Sequence, residues 1–288
     1  MSKSMLPLEQ EPDLRELIAR ALEEDVGSGD ATSLALVPDD ATASAALVTR
    51  QDVIVAGMGV AAEVFRAVDA NVKVDILVPD GEAAAAGATL LRVSGSARAL
   101  LTAERTALNF AQRMTAIATA TKALTRMAGD DGPLILDTRK TAPGLRRLDK
   151  YAVARGGGAN HRMGLHDAIL IKDNHLAFWS QKEKGTLAEA VAQARKAYPH
   201  LKIEIEVDTL EQLRDALAGR PDWVLLDNMS PATVAEAVRL CDGICKTEVS
   251  GGITEKNLRD YARTGVTAIS VGALTHSVQA ADLALEFE

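Results

Sequence analysis

The sequence predicts an α/β protein in two parts: a compact N-terminal α+β unit, then a parallel array of strand–loop–helix repeats. Three observations carry that expectation. Short extended runs punctuated by glycines fill residues 41–95, strands alternate with helical sequence after residue 130, and the later strands start 21 to 23 residues apart. That spacing holds one strand and one crossover helix, the connection that joins parallel neighbours.

The elements follow in order. Residues 13–24, DLRELIARALEE, place Leu14, Leu17, Ile18, Ala21 and Leu22 on one helical face. Residues 25–33, DVGSGDATS, are turn material that ends this helix. Extended runs come next at SAALVTR, DVIVAG, KVDILV and TLLRVSG, with a helix at 58–69 and Gly81, Gly87 and Gly95 as punctuation. Residues 97–129 read as one long or broken helix that joins two domains, placed at 1–114 and 115–288. Beyond it the strand candidates are PLILDT (133–138), AILIKD (168–173), KIEIEVD (202–208), WVLLDN (223–228), KTEVSGG (246–252) and AISVGA (268–273), with helical stretches such as TLEQLRDALAG and SPATVAEAVRLC between them. Six strands favour a parallel sheet or barrel and do not support a complete eight-stranded barrel.

Composition is that of a globular chain: 288 residues, 47% apolar and 25% charged, enough for a sizeable core. The opening MSKSMLPLEQEPD lacks the apolar core of a signal peptide, and no apolar run is long enough to span a bilayer. A cytoplasmic protein with no membrane partner is expected. Cys241 and Cys245 lie four apart, without a second Cys or His cluster nearby. They read as small buried hydrophobes rather than a zinc site or a disulfide.

Charge is unevenly placed. The chain carries a net charge of -8, yet residues 137–175 hold eight Lys/Arg against four Asp and three of the five histidines. Concentrated charge points to a target. A nucleic acid is a poor one, since the chain has nine aromatic residues and Tyr151 alone falls within that segment.

The ends of the strands say more. Asp137-Thr138-Arg139-Lys140, Lys172-Asp173-Asn174, Glu206 with Asp208, Asp227-Asn228, Glu248 with Ser250-Gly251-Gly252, and Gly272 all fall at C-terminal ends. In a parallel array those ends share one face, where active sites lie. Arg139, Lys140, His161, Arg162 and Lys172 form a cationic group suited to carboxylates and phosphates. Glu206 and Asp227 are acids suited to Mg²⁺ or to sugar hydroxyls. Glycine loops after the last strands suit a phosphate. The expected ligands are a phosphorylated sugar and a small, highly anionic partner.

Plainer roles are expected for the rest. Arg146, Arg147, Lys150 and Arg155 read as solvated or phosphate-steering, His166 and His175 as core or turn histidines, and Asp173 and Asn174 as caps. Glu204 lies two residues before Glu206, and one of the two is expected to face the site, with the pattern leaving open which. The three glycines 156–158 are expected to permit close backbone packing.

TRKTAPGLRRLDKYAVARGGGANHRMGLHDAILIKDNH closely resembles the core of the quinolinate phosphoribosyltransferase family, and EIEVDTLEQ, LLDN, EVSGGIT and ISVGALTHS continue the likeness. EEDVGSGDATS and AERTALNFAQRMTAIAT extend it to the N-terminal part, while AFWSQKEKGT (177–186) is the least similar and reads as a variable loop. The resemblance implies an N-terminal α/β sandwich and an open, incomplete α/β barrel. It also implies decarboxylating transfer from 5-phosphoribosyl 1-diphosphate to quinolinate, with Mg²⁺, giving nicotinate mononucleotide, diphosphate and CO₂ in NAD biosynthesis. Arg139, Lys140, His161, Arg162 and Lys172, with Thr138, would hold quinolinate and part of the diphosphate. Glu206 and Asp227 would face the ribose and metal, so Lys140, Glu206 and Asp227 are the catalytic candidates. Ser250, Gly251, Gly252 and Gly272 would cradle the 5-phosphate. Arg105 would complete the site of a neighbouring subunit in a homodimer, with higher assembly left open. Two alternatives stand beside this: a homologue of the same fold acting on another anion, and a Schiff-base lyase using Lys140 or Lys172.

Overall fold

The computed structural model describes residues 12–179 and 185–288. Its first half runs α1 (Pro12–Val26), α2 (Ala31–Leu36), β1 (Thr42–Thr49), β2 (Val53–Ile54), α3 (Met58–Val68), β3 (Lys73–Ile76), β4 (Ala83–Ala84), β5 (Thr89–Ser96) and α4 (Ala97–Ala128). There follow β6 (Leu134–Leu136), α5 (Arg146–Arg155), β7 (Ile169–Ile171), α6 (Asp173–Trp179), α7 (Leu187–Ala197), β8 (Ile203–Val207), α8 (Leu210–Ala218) and β9 (Trp223–Asp227). The chain closes with α9 (Pro231–Cys241), β10 (Lys246–Ser250), α10 (Leu258–Ala262), β11 (Ala268–Ser270), α11 (Ala273–His276) and β12 (Leu283–Phe287).

Packing divides the chain into two compact units interleaved in sequence, whereas the expected division is a single cut after residue 114. One unit takes residues up to Lys122, Thr141–Gly157 and Leu274–Glu288; the other takes Ala123–Lys140 and Gly158–Ala273.

The first unit is built on an antiparallel sheet of order β12-β1-β5-β3, with β2 and β4 as a separate short pair. Its core joins Leu47, Leu91 and Val93 from the sheet to Val64 and Phe65 of α3 and to Leu100, Ala103, Ala107 and Ala111 of α4. Small alanines recurring along α4 let neighbouring backbone approach closely. The expected helices at 13–24, 58–69 and 97–129 are all present, the last unbroken. Residues 25–33 are turn only in part: Asp30 accepts the N–H of Ser33 and caps α2, so helix resumes at Ala31. β12 had no counterpart among the expected elements, and it pairs with β1 through contacts such as Ala45 with Phe287.

α5 belongs to this unit, and Lys150 on it is fully buried. That corrects the expectation of a solvated lysine: α5 turns Leu148, Asp149, Lys150, Tyr151, Ala152 and Val153 inward. Arg147 is exposed and pairs with Asp13, and Arg155 lies over the Tyr151 ring. Gly156 is packed so tightly that a Cβ would lie 2.4 Å from the Ala118 carbonyl oxygen, and Gly157 has φ +88°. Both therefore have a backbone reason to be glycine.

The second unit carries all six expected strands as one parallel sheet of order β6-β11-β10-β9-β8-β7. Each strand from β7 to β11 pairs with the next in sequence and β6 closes onto β11, while β6 and β7 do not pair. The order is that of a barrel left open between its first two strands. Ala159 bridges to Leu136 on that open edge of β6. Outward residues such as Ile203, Ile205 and Val207 are buried apolar, as strands under helices require. Leu136, Trp223 and Ala268 meet as an apolar cluster. Of the expected variable loop at 177–186, residues 177–179 are helical as the end of α6, and residues 180–184 lie outside the described residues. Among the described residues, no helix is long and apolar enough to cross a membrane.

Candidate active site

The candidate site lies at the C-terminal ends of the parallel strands, on residues of the second unit. Asp137 directly follows β6, and its buried carboxylate accepts from Asn160 Nδ2 at 2.6 Å and from the His161 backbone N–H at 3.0 Å. Ala159 N–H donates to Ile135 O at 2.8 Å, so segment 159–161 is stitched along β6 rather than left as flexible glycine-rich chain. Asp137 was noted in the sequence as a strand-end acid, but its anchoring role has no sequence signature.

The anchored segment presents cations. Arg162 Nη1 donates to the Ala168 carbonyl at 3.0 Å, and Asp167 accepts the N–H groups of Met163 and Gly164. Burial and the neighbouring Arg139 both pull the Arg162 pKa below its ordinary value. A guanidinium whose charge is disfavoured by a second one nearby makes a receptor for an anion. Thr138 Oγ1 accepts the Lys140 N–H at 3.0 Å and shapes the turn after β6.

Lys172, one residue past β7, donates to the Glu206 carboxylate of β8. Asp227, at the end of β9, has its pKa raised by burial and by Asp208, while Lys172 and Lys140 oppose the rise. Lys140, Lys172, Glu206 and Asp227 therefore share one electrostatic neighbourhood, and Asp208 belongs to it although it was not among the expected site residues. In register, Asp227 faces Ser250 of β10. Asn228 takes a left-handed φ of 53° and its N–H donates to the Ser250 carbonyl at 3.0 Å. Gly251 packs against that asparagine, and a Cβ there would lie 2.2 Å from Asn228 Oδ1. Gly272 lies two residues past the end of β11.

The expectation that only one of Glu204 and Glu206 faces the site is wrong. Residues two apart on a strand share a face, and both point to the same side. Glu206 meets Lys172, and Glu204 meets His161 and Glu248. Burial raises the Glu204 pKa to about 7, and burial with the nearby Glu204 raises that of Glu248 to about 8.

The remaining expected residues are also placed. Arg105 is exposed on α4, in the first unit. His175 is exposed in the first turn of helix α6 rather than in the core or a turn, its Nδ1 accepting the Lys172 N–H at 2.9 Å, and His166 is exposed. Cys241 is buried, Cys245 is half-buried, and both thiols are free. A cavity of about 840 Å³ in the first unit, between α1 and residues 141–148, includes none of the expected site residues.

Carboxylate oxygens at Glu206 and Asp227 suit a hard divalent ion such as Mg²⁺, which takes one or two carboxylates alongside substrate phosphates. The donor chemistry of this rim fits the metal that the sequence resemblance implies.

Comparison with known proteins gives the family. Residues 30–115 match the N-terminal domain of quinolinate phosphoribosyl transferase, and residues 117–286 match its C-terminal domain. The probable nicotinate-nucleotide pyrophosphorylase [carboxylating] of Bacillus subtilis is 42% identical over 274 residues, covering 95% of this chain and 93% of that protein. The corresponding Mycobacterium leprae protein is 45% identical over 280 residues, covering 94% and 96%. A solved structure of the nicotinate-nucleotide pyrophosphorylase from Francisella tularensis superposes with a TM-score of 0.90 at 37% identity, covering 99% of this chain and 100% of that one. With both domain models matched along the chain and a parallel-strand site of this chemistry, the protein belongs to the quinolinate phosphoribosyltransferase family.

Proposed function

We infer that this protein is a carboxylating nicotinate-nucleotide pyrophosphorylase of NAD biosynthesis. It transfers the phosphoribosyl group of 5-phosphoribosyl 1-diphosphate to quinolinate and releases diphosphate and CO₂. The observation that carries the reading is Lys172 bonded to Glu206 beside Asp227 and Lys140, at the strand ends of a chain of this family.

The chemistry divides along that line. Arg139, Lys140, Arg162 and Lys172 form the cationic side that binds the two carboxylates of quinolinate and part of the diphosphate, with Thr138 and the neutral His161 ring alongside. Several fixed cations orient the ring, so that one carboxylate is retained while its neighbour is lost. The pyridine nitrogen attacks the anomeric carbon as the bond to diphosphate breaks, and positive charge develops on the ribose. Glu206 and Asp227 stand opposite that charge. The nitrogen, now cationic, stabilises the carbanion left on the adjacent carbon when CO₂ departs, and that carbon's electron pair then takes up a proton. Ser250, Gly251, Gly252 and Gly272 offer backbone N–H groups to the 5-phosphate. Mg²⁺, held by Glu206 and Asp227 with the substrate, would neutralise diphosphate charge as it leaves.

Arg105, exposed on α4, is the residue for a neighbouring subunit's site, which makes a homodimer the working unit. The acidic composition and two free thiols suit the cytoplasm. The deciding assay is CO₂ release from carboxyl-labelled quinolinate with and without 5-phosphoribosyl 1-diphosphate, with nicotinate run in parallel. Release that depends on the diphosphate and on quinolinate supports the reading; turnover of nicotinate alone overturns it.

A further inference from the structure

His161 is held in one neutral tautomer by its two neighbours. Its Nδ1 accepts the backbone N–H of Arg162 at 2.7 Å. A ring nitrogen that accepts an N–H carries no proton, so the neutral ring bears its proton on Nε2. Nε2 lies 3.0 Å from Glu204 Oε2 and 3.5 Å from Glu248 Oε2. Its hydrogen therefore goes to Glu204, the nearer carboxylate.

The donor atoms of His161, Glu204 and Glu248 lie within 4.8 Å of one another, a spacing that also suits a metal ion. The tautomer argues against that use. The nitrogen facing the carboxylates is the protonated one, and a metal requires its bare lone pair.

A different role fits the same atoms. Arg162 lies near enough to Arg139 to feel its like charge, and two tethers fix Arg162 itself. One tether is the Arg162 Nη1 bond to the Ala168 carbonyl. The other begins at the Arg162 backbone, passes through the His161 ring and ends at Glu204. We propose that Glu204 is a positioning residue for quinolinate binding, fixing the His161 ring so that it holds the Arg162 backbone in place to present its guanidinium beside Arg139. This rests on the function proposed above. Without the acceptor at Glu204, the ring is free to move its proton to Nδ1, where it would oppose the Arg162 N–H.

Two measurements on the full chain test this. Long-range ¹⁵N NMR of labelled protein, with His161 assigned through a His161→Asn variant, should read the Nε2–H tautomer in the wild type and in Glu204→Gln, which keeps an acceptor. In Glu204→Leu the ring should become a mixture of tautomers. In kinetics, Glu204→Leu should raise the quinolinate KM about tenfold, the scale of a lost charge-assisted hydrogen bond, and leave the KM for 5-phosphoribosyl 1-diphosphate within about twofold. Glu204→Gln should recover most of that loss. Should the leucine variant fail to fold, Glu204→Asp withdraws the acceptor by about 1.5 Å, one carbon–carbon bond, and should raise the same KM. An Nδ1–H or doubly protonated ring in the wild type overturns the proposal, as does an unchanged quinolinate KM in the leucine or aspartate variant. A wild type that does not turn over quinolinate would sink the functional reading instead, while the tautomer would still report the Glu204–His161 bond.

Discussion

The Lys172 ammonium donates to the Glu206 carboxylate, tying the residue after β7 to β8. Lys172 is 43% exposed and Glu206 only 11%, so the pair stands at the mouth of the site with its cation outward. An incoming anion can recruit that cation without uncovering the acid. Lys172→Met keeps the apolar stem and removes the charge. Its quinolinate KM should rise about tenfold or more, given ~1.5–3 kcal/mol for a hydrogen bond to a charged group. Steady-state kinetics with each substrate varied in turn would check this, and an unchanged quinolinate KM would remove Lys172 from the anion site.

Arg139→Ala should cripple quinolinate binding, by ~2–5 kcal/mol if the guanidinium meets a carboxylate in a desolvated pocket. Arg139→Lys should recover only part of it, because an ammonium keeps the charge and loses the planar fork. Saturation curves for quinolinate decide the matter. Wild-type saturation in the alanine variant would sink the assignment.

Arg105 is expected to act across a subunit boundary. Arg105→Ala and Arg139→Ala should each be inactive alone. Mixing the two under conditions that exchange subunits should restore activity, since one of the two sites in a mixed dimer then has both arginines. No recovery, with exchange verified by mass, would place Arg105 outside the neighbouring site.

Gly251 has φ +97°, and a Cβ there meets Asn228 Oδ1 at 2.2 Å. Gly251→Ala should therefore weaken binding of 5-phosphoribosyl 1-diphosphate and lower Tm, with at least ~1 kcal/mol from the backbone alone. Gly252 has φ +61° with nothing within 4 Å of an added Cβ, so Gly252→Ala should cost less stability. Thermal melts of the two variants give the comparison, and equal melting temperatures would count against the Asn228 contact.

Glu248 is fully buried, with its pKa raised from 4.5 to about 8 by burial first and by Glu204 second. The folded state thus binds a proton that the unfolded state gives up near pH 4.5. Stability associated with this group is full below pH 4.5, falls as pH rises, and is lost by about pH 8. Glu248→Gln should flatten that decline. Melting temperatures from pH 6 to 9 for both proteins would check it, and parallel curves would rule out Glu248 as the titrating group.

Local pattern was enough for most of the parallel unit. The six strands were readable because each is a short apolar run ending in polar residues, and even spacing placed those ends on one face. The long helix at 97–129 was equally plain from its length. The antiparallel sheet was less so: β12 joins β1 through pairs such as Ala45 with Phe287, and no local signal announces a partner so distant in sequence. Helix α2 hid in turn-forming residues because its start depends on one side-chain bond from Asp30.

At the site, the sequence alone supplied the residue types. Arg139, Arg162, Lys172, Glu206 and Asp227 were marked by their position at strand ends and by the motif around them. Tertiary structure decided what each one touches. It put Glu204 on the same face as Glu206 and joined His161 to Glu204 and Glu248, and, away from the site, it buried the Lys150 side chain of α5. The physical reason is range. Periodicity and turn chemistry act over a few neighbouring residues and are written in order along the chain. The hydrogen bonds, like-charge approaches and burial that shift a pKa or fix a tautomer are made between strands, and they exist only once the sheet has closed around them.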